Sequence, residues 1–328
     1  MSEVVTTPVI VLNWNGWDDT FACLRSLHEH GDGCPVWLVD NASRDDRRAE
    51  AAALYPGLRT FRWNDNYGWA GGYNRALRIA LHEGYEYVYL LNNDCLLTPG
   101  ALQSVIDVAR DEPHAAAVGS YIAYAATPQW LQFDGLPRAE GERAVAGGLS
   151  TRRTRRLSGA GMLVRMRAMS ECGLFDERLF CYWDDTEWCA RVQEAGWYLL
   201  IAGGSLLLHQ GNGSDVNFNA LYYLNRNRYL VRARPELHFT PVRELRYILG
   251  NLRFAGDLRR AGRGAEATSL VAGLWDGWTG KTGRRGSDPP ELVLFLLLHC
   301  RPFPSGFVQH LLDRARRLSR HDARRDAT

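Results

Sequence analysis

The stretch Tyr87-Val88-Tyr89-Leu90-Leu91-Asn92-Asn93-Asp94 runs five apolar residues straight into two amides and a carboxylate. A short apolar run rich in aromatic residues reads as a buried strand of an α/β sheet. Ligands of open α/β sheets bind just outside the carboxyl ends of the strands. An acid flanked by amides at that point can hold a hard cation through oxygen ligands. Asp94 can equally cap the helix expected after Pro99-Gly100, and both readings stay open on this stretch alone.

Other strand ends bring similar chemistry. Asn13-Trp14-Asn15 follows a first apolar run, and Asp40-Asn41-Ala42-Ser43 follows a second. A carboxylate such as Asp40 can accept a hydrogen bond from the imide N–H of a uracil or thymine ring, although Asp, Asn and Ser also cap helices well. Asn64 to Asn74 carries Gly68, Gly71 and Gly72 ahead of a helix whose first amides can face a diphosphate. This segment does not meet G-x-G-x-x-G, and the position after the first strand holds Asn13 to Trp17 instead, which argues against a Rossmann dehydrogenase. In Tyr182-Trp183-Asp184-Asp185-Thr186-Glu187-Trp188, Asp184 and Glu187 have capping-box spacing. Asp185 is then left in the first turn beside aromatic rings, where a raised pKa would suit a general base. His209 follows Leu206-Leu207-Leu208 and precedes a glycine-bearing loop; it is either structural or a further metal ligand.

The elements that must position these groups alternate. Strands are expected at Pro8–Asn13, Val36–Asp40, Leu58–Trp63, Tyr87–Leu91, Ala117–Tyr124, Leu157–Val164 and Trp197–Ile201. Small residues around Gly161 would let a ligand approach the Leu157–Val164 backbone. Helices are expected after Asp18 or Asp19, after Ser43 and Asp45, over Tyr73–Glu83, over Gly100–Asp111 and from Asp184 to Ala195. This alternation predicts an α/β fold with a mostly parallel central sheet flanked by helices. Arg138 to Arg156, with its Arg152-Arg153-Thr154-Arg155-Arg156 run, lacks apolar periodicity and is expected to be a mobile surface loop. From Asn219 onward the pattern turns helical and Arg-rich, so the expected division is residues 1–218 and a mainly helical extension, 219–328.

Bulk properties narrow the classes. The chain has 328 residues, 46% hydrophobic and 23% charged, which is ordinary for a globular protein with an ample core. A net charge of +2 argues against a dedicated nucleic-acid binder. The seven cysteines are scattered with no CxxC pair, giving neither a disulfide framework nor a zinc site, and reduced cytosolic thiols are expected. Met1 to Thr7 has no signal-peptide character, and the apolar run Leu292 to Leu298 is too short to span a bilayer.

In this order, from Val9 to Tyr229, the motifs resemble the inverting glycosyltransferases of family 2, which have the GT-A fold, and within them the bacterial rhamnosyltransferase-like branch. The resemblance rests on Asn15-Gly16, Val39-Asp40-Asn41-Ala42-Ser43, Asn66 to Asn74, Leu91-Asn92-Asn93-Asp94, Gly173 to Glu177, and the acidic pair Asp184-Asp185 followed by Arg191. Tyr222 to Arg228 resembles the family as well. The chain departs from the pattern at Trp69 (Phe in the family), Tyr73 (Asn), Asp184 (Glu is common) and Asn92 (the first Asp of Asp-x-Asp in other branches).

The resemblance implies a nucleotide-diphospho-sugar donor, dTDP- or UDP-linked, and Mg2+ or Mn2+ as cofactor. It implies Asp94 and His209 as metal ligands and Asp185, beside Asp184, as the catalytic base. Donor contacts would come from Asn13, Asn15, Asp40, Asn41, Ser43, Asn66, Gly71, Gly72, Asn74, Asn92, Asn93 and Gly161. The implied reaction moves rhamnose or another deoxy or amino sugar, with inversion, to a hydroxyl of a glycan, lipid-linked or small-molecule acceptor. The expected location is the cytoplasm or the inner face of the membrane. The C-terminal region is expected on the acceptor side, or as a dimer or membrane-surface contact, although a plain core helix is the simpler account of Leu292 to Leu298. A non-catalytic nucleotide-sugar-binding protein is the competing class, disfavoured because Asp40, Asp94, Asp185 and His209 are all present.

Overall fold

Most of the apolar runs form strands buried on both faces. β1 (Val9–Asn13), β2 (Val36–Asp40), β3 (Arg59–Arg62) and β4 (Tyr87–Asn92) lie side by side in parallel. The computed structural model describes residues 7–135, 143–145, 148–210, 216–237 and 239–286. Beyond β4 the sheet continues with β5 (Cys95–Leu97), β6 (Ala115–Tyr124), β7 (Thr127–Phe133), β8 (Arg143–Ala144), β9 (Arg152–Thr154), β10 (Gly161–Arg165) and β11 (Tyr198–His209). The main strand order is β3-β2-β1-β4-β10-β6-β11-β5. β10 is antiparallel to both neighbours, β6 and β11 are parallel, and β5 closes the edge antiparallel to β11.

Pleating sends alternate residues to opposite faces, so a strand buried on both sides feeds two cores. Val9 and Val11 of β1 join Leu24 and Leu27 of α1 (Trp17–His30) and Leu102 and Val105 of α4 (Ala101–Asp111). Ile10 faces the other way, with Tyr73 and Leu77 of α3 (Gly68–His82), Met166 and Met169 of α5 (Met166–Cys172) and Trp188 of α6 (Asp184–Glu194). The short α2 (Arg48–Leu54) follows β2.

The chain divides into two compact units, Met1–Ser214 and Asp215–Thr328. The second holds α7 (Val216–Val231), α8 (Pro241–Arg260) and α9 (Gly264–Trp278) around Tyr229, Leu258, Leu270, Val271 and Leu274. Thr240 caps α8 by accepting from the Arg243 amide at 3.3 Å, with Pro241 at the first helical position. A boundary at 218 would cut α7, which already begins at Val216. Among the described residues, no helix is long and apolar enough to cross a membrane. The Leu292–Leu298 run lies outside the described residues.

Several expectations are corrected. Arg138–Arg156 is not wholly loop: Arg152–Thr154 pairs antiparallel with Leu199–Ile201, so those arginines belong to the sheet. Residues 138–142 and 146–147 of that stretch lie outside the described residues. α1 starts at Trp17, ahead of Asp18 and Asp19, and α2 starts at Arg48, beyond Ser43 and Asp45; neither has a side-chain cap. α3 begins at Gly68, so the glycines form its first turn rather than a separate one. Asp94 does not cap α4: it sits in the turn joining β4 to β5.

Candidate active site

Parallel pairing puts the carboxyl ends of β1, β2 and β4 on one edge: Asn13 stands opposite Asp40, and Leu12 opposite Asn92. Because β10 runs the other way, its start and the preceding Ser158-Gly159-Ala160 reach the same edge. There the Asn92 amide donates to the Ala160 carbonyl at 3.0 Å. β11 is parallel to β6 and ends on this edge at His209.

The first cluster is a closed hydrogen-bond hub. Asn13 Nδ2 donates to Asp40 Oδ1 (3.3 Å) and Ser43 Oγ (3.1 Å), while Asn13 Oδ1 accepts from the Gly16 amide (3.1 Å) and the Thr20 hydroxyl (3.0 Å). Asp40 Oδ1 also accepts from the Ser43 amide (3.2 Å), and Oδ2 accepts from Arg62 Nη1 (2.8 Å). Asn13 and Asp40 are fully buried and Ser43 is nearly so. In this arrangement the buried Asp40 carboxylate faces the Arg62 guanidinium rather than solvent. Asn15 takes a left-handed backbone (φ 59°), and its side chain accepts from the Arg44 amide at 2.8 Å.

The second cluster surrounds the start of α3. Asn41 Nδ2 donates to Asn66 Oδ1 and the Gly68 carbonyl, both at 3.0 Å, and Asn41 Oδ1 accepts from the Tyr67 amide (3.2 Å). A Cβ on Gly72 would lie 2.8 Å from a Leu12 methyl, and one on Gly71 would lie 2.9 Å from Tyr67 Cβ. These glycines therefore let α3 close against β1 and its own N-terminal loop. Asn74 Nδ2 donates to the Phe175 carbonyl (2.9 Å) and Glu177 (3.1 Å), and its Oδ1 accepts from the Phe175 amide (3.1 Å). The residue is only 1% exposed. A Cβ on Gly161 would lie 2.1 Å from Leu207 Cδ1, so its small size serves strand packing. Asn41, Asn74, Gly71, Gly72 and Gly161 are thus each engaged in the packing or hydrogen bonding of the scaffold around the site.

The third cluster holds the candidate metal ligands. Asp94 Oδ2 lies 3.1 Å from His209 Nε2. β5 pairs Cys95 with His209, which brings together residues far apart in the chain. Octahedral ligands about 2.1 Å from an ion stand about 3 Å apart when adjacent, so this separation suits a cis pair on Mg2+ or Mn2+. Burial disfavours the His209 imidazolium, but the hydrogen bond and charge of Asp94 outweigh it and raise the pKa above the ordinary histidine value. His209 Nδ1 is buried with no hydrogen-bond partner among the described residues. Cys95 Sγ completes a close trio, 3.9 Å from Asp94 Oδ1, but burial pushes its thiol well up and keeps it protonated. Asn93 Nδ2 donates to the Gly16 carbonyl and the Thr20 hydroxyl, both at 3.0 Å, and so ties the turn to α1. Asn92 Oδ1 accepts from the Trp69 indole at 2.9 Å.

The fourth cluster is the acidic pair. α6 begins at Asp184 with Trp183, in a left-handed backbone (φ 70°), at the cap position and no side-chain cap bond, so the expected capping box does not form. Phe180 and Tyr182 also have positive φ (66° and 64°), conformations costly for bulky residues. Asp185 Oδ2 accepts from the Gly159 amide (3.0 Å); its Oδ1 accepts from the Thr186 amide (2.6 Å) and hydroxyl (3.1 Å). Burial raises the Asp185 pKa, opposed by these bonds and by the Arg156 charge. Asp184 is 4% exposed, and one of its oxygens has no partner among the described residues. Burial and the neighbouring Asp185 charge push its pKa well above the ordinary carboxylate range. Both carboxyls are therefore pushed up, Asp184 the more strongly, and of the two Asp185 is the one partly open to solvent.

Residues 9–167 match the model of the family described as Glycosyl transferase family 2. The chain carries a family 2 glycosyltransferase domain. It is 29% identical over 202 residues to the N-acetylglucosaminyl-diphospho-decaprenol L-rhamnosyltransferase of Mycobacterium tuberculosis, an alignment covering 53% of this chain and 66% of that protein. Among solved structures it resembles the mannosyltransferase PcManGT from Pyrobaculum calidifontis in complex with GDP-Man and Mn2+ (TM-score 0.54, 16% identity, 97% of this chain and 81% of that one). It also resembles GalNAc-T7 with UDP, GalNAc and Mn2+ (TM-score 0.51, 15% identity, 74% of this chain and 52% of that one). These likenesses establish the GT-A fold for this glycosyltransferase domain.

Sequence reasoning missed Arg62, Gly159 and Cys95, and it noted Trp69 only as a departure from the family. Arg62 reaches Asp40 through the register of β2 with β3, and Cys95 reaches His209 through that of β5 with β11. No local pattern encodes either register. The signal available for Gly159 was its place in Leu157-Ser-Gly-Ala-Gly, small residues directly before a strand.

Proposed function

We propose that this protein is a metal-dependent inverting glycosyltransferase. It would move a sugar, rhamnose or another deoxy or amino sugar, from a dTDP- or UDP-linked donor to a hydroxyl of a lipid-linked, glycan or small-molecule acceptor. The observation that carries this reading is the pairing, on one sheet edge of a family 2 domain, of two groups. One is the Asp94–His209 pair, spaced as adjacent metal ligands, and the other is the half-open Asp185 carboxylate. A rhamnosyltransferase relative supports the sugar class, and its name supports a diphospholipid-linked acceptor.

Mg2+ or Mn2+, held by Asp94 and His209, would supply positive charge to the diphosphate leaving group. The chain's own residues do the rest. The half-buried Arg62 and the exposed Asn15 line the entrance to the nucleotide pocket, and Asn13, Asp40 and Ser43 hold them from beneath. Asp185 receives the acceptor hydroxyl proton on a carboxylate oxygen. The oxygen then bonds to the anomeric carbon from the face opposite the diphosphate as the bond to the diphosphate breaks, which inverts the centre. The Gly159 and Thr186 donors fix the Asp185 carboxylate so that it meets the hydroxyl in one orientation. The acceptor side, a dimer contact or a membrane-surface contact falls to the unit 215–328 in this proposal.

The test is Asp185→Asn. Nucleotide-sugar binding in Mn2+, read by thermal shift against dTDP- and UDP-sugars, is expected to persist while transfer is lost. Normal turnover in that variant would sink the assignment.

A further inference from the structure

We propose that the Trp69 indole is a positioning residue that sets the placement of the Asp185 carboxylate relative to the Asn92-Asn93-Asp94 turn. The proposal rests on the reading of Asp185 as the base. Its carrier is one ring that touches both halves of the site. On one side Trp69 Nε1 donates to Asn92 Oδ1 at 2.9 Å, at the end of β4 and two residues before Asp94. On the other side the benzo edge fills the space where Gly159 would carry a side chain: a Cβ there would lie 2.4 Å from Cζ2 and 2.8 Å from Cη2. The Gly159 amide in turn donates to Asp185 Oδ2 at 3.0 Å.

The ring is itself held. Its centroid lies 4.6 Å from that of Tyr73 and 4.8 Å from that of Phe175, and Phe175 packs on Trp188 of α6 at 5.7 Å. Tyr73 is anchored by its hydroxyl donating to the Leu91 carbonyl at 2.9 Å. The indole is thus wedged between β4, the entry to β10 and the ring stack leading to α6. A change in its size or polarity moves the base against the leaving-group side of the site. Transfer rates are steep in such placement, because misplacing a reacting group by about 1 Å can cost about a hundredfold.

The two contacts separate by mutation. Trp69→Phe keeps a ring against Gly159 but removes the indole N–H. Trp69→Leu removes the ring face as well, and Gly159→Ala drives a methyl into it. The charged and titratable groups facing Asp185 are Asp184 and Cys189 on α6 and Arg156 after β9, and none of these substitutions touches them. Initial rates are measured in Mn2+ with whichever dTDP- or UDP-sugar of a screened set is turned over.

Trp69→Phe is expected to lower kcat about fivefold, the worth of one hydrogen bond, with donor KM within about twofold and the acid limb of the pH profile unmoved. Trp69→Leu and Gly159→Ala are expected to loosen the Gly159 donor on Asp185, which raises the base's pKa and carries the acid limb to higher pH. A merely structural ring would lower the folded fraction and leave that limb in place. If Trp69→Leu does not accumulate folded, Gly159→Ala and Trp69→Phe decide. An unmoved limb in Gly159→Ala, or wild-type kcat in Trp69→Phe, overturns the proposal. An active Asp185→Asn overturns the base assignment itself; an inactive Asp185→Asn with an unmoved limb in Gly159→Ala overturns only the role of the indole.

Discussion

Asn74→Ala separates a brace from a ligand contact. Asn74 makes three hydrogen bonds to the segment Phe175–Glu177: two to the Phe175 main chain and one to the Glu177 carboxylate. Phe175 is 3% exposed, so alanine strands a buried N–H and a buried C=O with no water to replace the amide. Each unsatisfied buried group costs about 1–3 kcal/mol. The Glu177 carboxylate, 38% exposed and paired with Arg75 and Arg78, re-solvates and adds little. The expected loss is about 3 kcal/mol. For a unit of this size each kcal/mol shifts Tm by about 2–4 °C, so a drop of roughly 10 °C is expected. The assay is thermal unfolding together with titration of UDP and dTDP in Mn2+ on the folded variant. Nucleotide affinity should stay within about threefold, since the side chain's hydrogen bonds go to the Phe175–Glu177 segment. Lost nucleotide affinity at an unchanged Tm would refute this reasoning and place Asn74 in the donor pocket.

Asp184→Asn should raise Tm at neutral pH. The folded state holds a proton on Asp184 that the unfolded chain releases above the ordinary value of 3.8, so wild-type stability falls as pH rises past that value. The gain should vanish below about pH 3.8, and a gain equal at all pH values would disprove the assignment of the proton to Asp184. His209→Ala should weaken Mn2+ binding, measured calorimetrically with UDP present, by at least about tenfold; unchanged affinity would remove His209 from the metal site. Gly161→Ala places a methyl 2.1 Å from Leu207 Cδ1 and should destabilise by about 1–3 kcal/mol, with partial recovery when Leu207→Ala is added. Equal stability of Gly161→Ala and wild type would show that the β10–β11 face has room to spare.

The strands were readable because each is a short apolar run ending in a polar residue, and that pattern follows from burial on both faces followed by exposure at the sheet edge. Two helix starts were misplaced. Ser, Asp and Asn near a helix start normally signal a cap, but Ser43 is engaged across the sheet edge, where it takes the Asn15 amide, and Asp18 and Asp19 lie inside the first turn of α1. A motif of Asn, Asp and Gly looks like a ligand-binding surface from types alone, and the types do not show how buried each residue is. Asn41 and Asn74 are 2% and 1% exposed and hydrogen-bond within the fold. The β9 strand was hidden because its arginines lie at the sheet margin, where Arg153 lays its guanidinium over the Tyr198 ring at 4.0 Å instead of following an apolar alternation.

Buried amides and left-handed residues at one edge have a common consequence for the chemistry. Asn15, Ala42, Phe180, Tyr182 and Trp183 all hold positive φ, each a conformation costing of order 1–3 kcal/mol for a residue with a side chain. The cost is borne beside the Asn13–Asp40–Ser43 hub and directly ahead of Asp184 and Asp185. Held as it is, the segment buries Asp184, whose pKa is pushed up by that burial and by the neighbouring Asp185 charge, while Gly159 and Thr186 donate to the Asp185 carboxylate. Of these two carboxyls in adjacent positions of one helix turn, only Asp185 has open surface. With Asp185 as the proposed base, the strain ahead of α6 is part of what sets two consecutive aspartates in different surroundings.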